Sequence, residues 1–184
     1  MNWNICWLFP TNVLTLAKLE QHKLEMNKKE VPLSPMIEDL IEKFTIKTEK
    51  TIHFTTDLKT EKVYADEEFL KEAISNLIDN AIKYSKESVK INISSSSDAN
   101  HDIINIYDNG IGIPQKDQKK IFEKFERASA IKQTRKGGPS GFGLGLNYVY
   151  QVMEAHEGRV YINSIEGEFS EFSLLIPKII ESYD

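Results

Sequence analysis

The sequence predicts a two-layer α/β sandwich of the α+β kind, in which helices cover one face of a mixed β-sheet. One long amphipathic helix stands in the middle of the chain, and alternating apolar and polar runs, typical of strands, lie on both sides of it. The last two runs follow each other like the arms of a hairpin. With 184 residues, 40% of them hydrophobic, the chain is long enough to bury a sizeable core.

The elements before the central helix are short. We predict a helix over residues 11–26 and a charged linker over residues 27–33. Ser34 and Pro35 are typical of an N-cap and a first-turn proline, so another helix should begin there. The apolar face of this helix consists of Met36, Ile37, Leu40, Ile41 and Phe44. Two short alternating strands should follow, the first marked by Ile52 and Phe54 and the second by Val63 and Ala65.

The central helix is predicted over residues 66–85. Asp66 is a plausible N-cap, and Glu67 and Glu68 occupy the first turn, where the helix dipole favours negative charge. The positions that repeat at helical spacing and form the apolar face are Leu70, Ile74, Leu77, Ile78, Ala81 and Ile82.

A polar stripe runs along the other side of this helix. Glu72, Asn76, Asn80 and Lys83 are three or four residues apart and therefore share one narrow face. Asn is unfavourable in the interior of a helix, because its amide competes for backbone hydrogen bonds, so two Asn residues on one stripe suggest a functional role. Asn oxygens are suited to Mg²⁺ or its waters, Glu72 could orient a water or balance the charge of the metal, and Lys83 could meet a phosphate. The alternative is an ordinary solvated face with two incidental Asn residues.

The second half of the chain alternates strands with helices. A strand around Val89–Ile93 should end in a serine-rich loop over Ser94–Ser97, and a more buried strand should follow at Ile103–Tyr107. The remaining predicted elements are a helix at 115–122, a mobile polar loop at 126–140, a helix from Gly143 to His156 capped by Gly158, and two final strands marked by Val160 and Ile162 and by Phe172, Leu174 and Ile176.

A glycine-rich turn follows the buried strand. Asp108 stands at the strand end, where its carboxylate could accept the exocyclic amine of adenine, and Gly110 and Gly112 would let the backbone approach the base. The alternative is a hairpin, because Asn-Gly is a strong hairpin signal. Pro114 and a helix-like run come next instead of a second strand, so we favour the binding site.

Two phenylalanines and an arginine precede the polar loop. Phe122 and Phe125 have the spacing of core anchors on a helix. Arg127 could contact a terminal phosphate with two hydrogen bonds, or it could simply be solvated.

A second glycine cluster opens the last long helix. Glycines at a helix start leave backbone N–H groups facing an anion, and the helix dipole adds to the attraction. The spacing matches neither a dinucleotide fingerprint nor a P-loop. The cluster comprises Gly141, Gly143, Leu144 and Gly145.

Composition excludes some classes of function. The net charge of −5 and the pI near 5.5 argue against a general nucleic-acid binder. Cys6 is the only cysteine, which excludes an internal disulfide and a Cys-based metal site. The apolar run at residues 5–9 is too short to span a bilayer.

The motifs in this order resemble the ATP-binding catalytic domain of sensor histidine kinases, within the superfamily that includes DNA gyrase, Hsp90 and MutL. The resemblance covers about residues 30–178, and the Phe122 segment favours histidine kinases over the other branches. The motifs that carry it are Asn76-Leu77-x-x-Asn80-Ala81-x-Lys83-Tyr84 (the N box), Asp108 to Gly112 (G1), Phe122 to Arg127 (F) and Gly141 to Leu146 (G2).

The resemblance implies a Bergerat-type fold with ATP and Mg²⁺ as ligands. Asn76 would bind Mg²⁺, with Asn80, Lys83 and Tyr84 around the phosphates and ribose, and Asp108 would read adenine. It implies that residues 1–30 are the end of a dimerisation-domain helix and linker, that residues 31–180 are the catalytic domain, and that 126–140 form the ATP lid. The expected setting is cytoplasmic, with a parent protein that could be anchored in the inner membrane.

None of the four histidines resembles the family's phosphoacceptor, which is followed by an acidic residue and then a proline. They are His22, His53, His101 and His156. We therefore expect this chain to bind Mg-ATP and to donate the γ-phosphoryl group to a histidine of its parent protein, with a response regulator as a further partner and no contact with nucleic acid or membrane. The alternatives are a superfamily ATPase or serine kinase, and a non-catalytic ATP-binding module.

Overall fold

The computed structural model describes residues 26–47, 50–85, 88–123 and 144–179. The predicted helix at 11–26 lies outside this part of the chain, apart from Met26. The helices are α1 (Leu33–Lys47), α2 (Glu67–Lys83) and α3 (Gly145–Ala155), and the strands are β1 (Lys29–Pro32), β2 (Thr51–Leu58), β3 (Lys62–Ala65), β4 (Ser88–Ser97), β5 (His101–Asp108), β6 (Arg159–Ile165) and β7 (Phe169–Pro177).

Five strands form one mixed sheet in the order β2-β4-β5-β7-β6, and β1 pairs with β3 in a separate ribbon. The β2–β4 pair is parallel and the other pairs of the large sheet are antiparallel. Ile93 lies opposite Ile106, and Ile106 lies opposite Phe172, so one set of alternating side chains faces the helices. The predicted mixed sheet is therefore confirmed.

The core lies between that face of the sheet and the three helices. On α2 the buried residues are Leu70, Ala73, Ile74, Leu77, Ile78 and Ala81, close to the face that the spacing predicts. Asp66 is the N-cap of α2, because its Oδ1 accepts from the N–H groups of Glu68 at 3.2 Å and Phe69 at 3.3 Å. These bonds satisfy donors that the first turn of a helix leaves free.

The predicted linker at 27–33 is wrong over β1. Val31 is completely buried and lies opposite Val63 in the antiparallel ribbon. A single apolar residue in a charged run gives no alternation, so only the tertiary contact reveals the strand. The predicted N-cap is also wrong, because α1 begins at Leu33 and Ser34 lies inside its first turn, where its Oγ donates to Glu38 Oε1 at 2.8 Å.

The predicted serine loop at Ser94–Ser97 is also wrong, because these residues belong to β4 and pair with β5. Ser95 is buried, and its Oγ accepts from the N–H of Thr60 at 3.0 Å. A serine is compatible with a strand when a neighbour satisfies its hydroxyl, as happens at Ser95 and at Ser97.

Residues 115–122 form consecutive turns instead of the predicted helix. Asp117 N–H donates to Pro114 O at 2.8 Å, and Lys120 N–H donates to Asp117 O at 2.9 Å. The Gln118 side chain donates to the carbonyl oxygens of Ile113 and of Ser164 on β6. These bonds attach the segment to the edge strand β6, and its turns do not continue as a regular helix.

The end of α3 differs from the prediction in one residue. The cap is His156, and Glu157 has the left-handed φ of 61° that a Gly158 cap would have supplied. Gly158 N–H donates to Met153 O at 2.8 Å and Glu157 N–H to Glu154 O at 2.9 Å, which is the Schellman pattern. Gly158 is needed for another reason, since a Cβ there would lie 2.4 Å from Leu175 O.

Candidate nucleotide site between α2 and α3

The start of α3 lies directly against the polar stripe of α2. A Cβ on Gly145 would lie 3.1 Å from Asn76 Oδ1 and 3.9 Å from Asn80 Nδ2. Asn76 Nδ2 donates to the backbone carbonyl of Glu72 at 2.9 Å. This bond commits the nitrogen of the amide, so the oxygen is the atom that faces α3. The structure therefore brings together the α2 stripe and the last residue of the glycine cluster.

Glu72 has a partner that the sequence pattern does not reveal. Tyr148 on α3 donates its phenolic O–H to Glu72 Oε2 at 2.6 Å. Tyr148 is only 3% exposed, and burial together with the hydrogen bond to Glu72 raises the pKa of its phenol. A buried Tyr generally needs a partner for its hydroxyl, so its place among the apolar positions of α3 is the signal that could have indicated this contact.

Lys83 and Tyr84 occupy the last turn of α2. Lys83 Nζ forms an ion pair with Asp79 one turn earlier. The Tyr84 N–H donates to Asn80 O and ends the helix, while its own carbonyl accepts from the N–H of Ile111 at 3.1 Å. That last bond attaches the glycine-rich turn after β5 to the end of α2.

Asp108 is buried at the end of β5, with 6% of its surface exposed. Its Oδ1 accepts from the N–H of Gly110 at 2.8 Å. Burial raises the pKa of this carboxyl to about 6, while the Gly110 bond acts in the opposite direction. A Cβ at Gly110 would lie 2.5 Å from Asp108 Oδ1 and 3.0 Å from Tyr84 O, so a larger residue would displace the carboxylate. The turn therefore presents a desolvated carboxylate beside the C-terminal end of α2.

Gly112 has a packing role that the sequence does not predict. Its φ is 63°, and a Cβ would lie 1.9 Å from Ile165 O. The same turn is held to the β6–β7 connection by the bond from Gly167 N–H to Ile111 O at 2.7 Å, and to β6 by the bond from Ile113 N–H to Ser164 Oγ at 2.8 Å. Its role toward a nucleotide base stays a prediction.

Phe122 packs partly buried against the core, as its spacing predicts. Its ring meets Phe172 edge-on at 6.4 Å between centroids. Its carbonyl accepts from Asn147 Nδ2 at 2.8 Å, so α3 is tied to this segment directly after the glycine cluster.

Four of the predicted binding or anchor residues lie outside the described residues. They are Phe125, Arg127, Gly141 and Gly143, and the predicted loop at 126–140 lies there too. Leu144 is described and forms the N-terminal end of α3, where its carbonyl accepts from Tyr148 N–H at 2.9 Å. Of the glycine cluster, the structure thus places Leu144 and Gly145.

Within the described ranges, no group of three or more His, Cys, Asp or Glu side chains could hold a metal ion. None of α1, α2 and α3, the helices of the described chain, has the length and apolar character needed to cross a membrane.

The comparisons with known proteins agree with this geometry. Residues 65–180 match the family described as histidine kinase-, DNA gyrase B- and HSP90-like ATPase, and the chain belongs to that family. The adaptive-response sensory kinase SasA of Crocosphaera subtropica is 32% identical over 171 residues, which cover 91% of this chain and 44% of SasA. The sensor histidine kinase WalK of Bacillus subtilis is 29% identical over 177 residues, covering 94% of this chain and 28% of WalK.

A solved structure shows the same fold. The Acinetobacter baumannii histidine kinase AdeS superposes with a TM-score of 0.76 at 25% sequence identity, covering 93% of this chain and 77% of that one. The Bergerat-type fold and the resemblance to histidine kinase catalytic domains are therefore confirmed. The chain spans less than half the length of SasA and WalK.

Proposed function

We propose that this chain is the catalytic module of a sensor histidine kinase, which binds Mg-ATP and donates the γ-phosphoryl group to a histidine elsewhere in its parent protein. The observation that carries the proposal is the juxtaposition of three features: the polar stripe of α2, the glycine at the start of α3, and the buried Asp108 at the end of β5, beside the C-terminal end of α2. Each has a distinct part of a nucleotide to recognise.

Asp108 is proposed to read the adenine base. Its carboxylate can accept a hydrogen bond from the exocyclic amine of adenine, whereas guanine presents a carbonyl oxygen at that position. Two opposed acceptors in a buried site cost about 1–3 kcal/mol. Gly110 and Gly112 shape the turn around the carboxylate.

Asn76 is proposed to bind Mg²⁺. Its Nδ2 is committed to Glu72 O, which leaves Oδ1 as a hard oxygen ligand on the side that faces α3. A magnesium site that uses few protein oxygens and completes its shell with water and phosphate is usual for this ion. When bound, the ion would neutralise charge on the phosphates. Glu72 would hold a water of that site.

The remaining predicted residues are proposed to surround the phosphates and the ribose. Asn80, Lys83 and Tyr84 follow Asn76 along α2 and its end. Arg127 would contact the terminal phosphate. The backbone N–H groups of the glycine cluster would face the phosphates at the start of α3, where the helix dipole favours an anion. The members of that cluster are Gly141, Gly143, Leu144 and Gly145.

The transfer step requires a nucleophile from outside this module. An imidazole nitrogen of the acceptor histidine would attack the γ-phosphorus in line, an N–P bond would form, and the P–O bond to ADP would break. Catalysis by this chain would consist of positioning and charge neutralisation. His156 is buried between α3 and the start of α2, which disfavours it as an acceptor.

The proposed partners are a dimerisation and phosphoacceptor domain of the same parent chain and a response regulator. The test is reconstitution: the chain is mixed with γ-labelled Mg-ATP alone and then with a dimerisation domain of a related kinase. We expect an acid-labile phosphohistidine on the added domain and none on this chain. Label on this chain that His22→Ala abolishes would contradict the proposed division of labour.

A further inference from the structure

A tyrosine lies inside the apolar contact between α2 and α3. Tyr148 belongs to the buried face of α3 together with Val149, Val152 and Met153. Its hydroxyl crosses to α2 and donates to Glu72 Oε2 at 2.6 Å. Apolar packing alone does not require a hydroxyl there, because Phe would fill nearly the same volume.

We propose that Tyr148 is a positioning residue that holds the Glu72 carboxylate in place at the magnesium end of the ATP site. The proposal rests on the function proposed above and adds a residue that acts through Glu72 without touching the nucleotide.

The contacts around Glu72 form a closed unit that couples it to the proposed metal ligand. Its backbone carbonyl accepts from Asn76 Nδ2 at 2.9 Å, and its side chain accepts from Tyr148. Asn76 Oδ1 in turn faces Gly145, which precedes Tyr148 by one helical turn. Tyr148 therefore fixes Glu72 from the same stretch of α3 that approaches Asn76.

The bond restricts the orientation of the Glu72 carboxylate. Tyr148 donates to Oε2, and either oxygen could still accept from a water bound to the metal. A phenol that donates to a carboxylate forms a short, charge-assisted bond. Because burial and Glu72 both raise the pKa of Tyr148, the phenol stays protonated and remains a donor throughout the neutral range.

Without the hydroxyl, Glu72 would lose a fixed orientation while α3 kept its packing. A hydrogen bond to a charged group is stronger than one between neutral groups, and part of its contribution would appear as weaker binding of the metal-bound nucleotide. Affinity for a nucleotide without metal should not depend on the orientation of Glu72. The difference between those two affinities separates positioning from a general effect on the fold.

The experiment is calorimetric titration of the whole chain with Mg-ATP and with ADP in EDTA. For Tyr148→Phe we expect Mg-ATP affinity to fall about five- to tenfold, with ADP affinity in EDTA unchanged. Tyr150→Phe is the matched control, because Tyr150 is on the same helix and partly exposed, and it should leave both affinities unchanged.

A double-mutant cycle completes the test. In a Glu72→Ala background, Tyr148→Phe should cause no further loss of Mg-ATP affinity, because the tyrosine acts only through Glu72. An equal loss in both backgrounds, or unchanged Mg-ATP affinity in Tyr148→Phe, would overturn the proposal and leave the proposed function standing. A wild-type chain that binds no Mg-ATP would overturn both. If Tyr148→Phe does not fold, circular dichroism will show it, and Tyr148→Met, which also removes the hydroxyl, takes its place with the same supporting and contradicting results.

Discussion

Replacing Asp108 with Asn should stabilise the nucleotide-free protein while removing its preference for adenine. The pKa of Asp108 rises from 3.8 to about 6 because the carboxyl is buried. The difference is roughly 2 pKa units, and at about 1.4 kcal/mol per unit the ionised carboxylate costs up to about 3 kcal/mol of folding free energy at neutral pH. Asn has no charge, and its Oδ1 can still accept from the N–H of Gly110.

The sign of the pH dependence follows from the raised pKa. Stability contributed by the protonated carboxyl is fully present below pH 3.8, the unfolded value, and is lost as the pH rises through about 6. The free energy of unfolding of Asp108→Asn should therefore exceed that of the wild type most at pH 7.5, and the two should converge near pH 4.

Urea denaturation followed by circular dichroism at pH 4, 5.5 and 7.5 measures this difference. Asp102→Asn is the matched control, because Asp102 is buried on the same strand but accepts from Ser97 Oγ and lies near Lys178 Nζ. That variant should gain no stability. A stability difference for Asp108→Asn that is absent, or equal at all three pH values, would refute the idea that a desolvated carboxylate stands there.

Two further predictions concern parts of the fold that support the site. Burial lowers the pKa of His156, whose Nε2 accepts from the N–H of Asp66 at 2.9 Å. In the Asp108→Asn background, urea titrations should therefore show that the free energy of unfolding falls as the pH drops below about 6.5. His156→Gln should remove this dependence on pH. Gly112→Ala would place a Cβ against Ile165 O and should lower the free energy of unfolding by at least about 2 kcal/mol. Gly167→Ala, where φ is 86°, should cost only the strain of a left-handed residue. Equal losses of stability in thermal melting of the two variants would contradict the packing role of Gly112.

Alternation and helical spacing predict most of the fold because most strands of the large sheet alternate more exposed with less exposed residues. β5, for instance, alternates buried and half-buried residues along its whole length. β1 could not be predicted, because its one buried residue, Val31, is buried by pairing with the strand of Val63, more than thirty positions away in the sequence. The turns at 115–122 likewise depend on contacts of Gln118 with β6.

Spacing predicts parts of the candidate site, but not its contacts. The stripe of α2 can be predicted because Asn76 and Asn80 are unfavourable in a helix interior. Asp108 can be predicted as a site residue because glycines follow it in the sequence. The apolar positions around Tyr148 indicate that its hydroxyl needs a partner, but the identity of that partner, Glu72, depends on how two helices pack. The packing of Gly112 against Ile165 O is hidden for the same reason.

Calorimetry on Asn76→Ala tests whether the α2 stripe holds magnesium-bound ATP. Asn163→Ala, an exposed Asn on β6, is the matched control. We predict that the wild type and the control bind Mg-ATP alike, and that Asn76→Ala binds it at least about tenfold more weakly, which corresponds to about 1.4 kcal/mol, with an unchanged circular dichroism spectrum. Equal Mg-ATP affinity in all three proteins would show that Asn76 does not take part in binding magnesium-bound ATP.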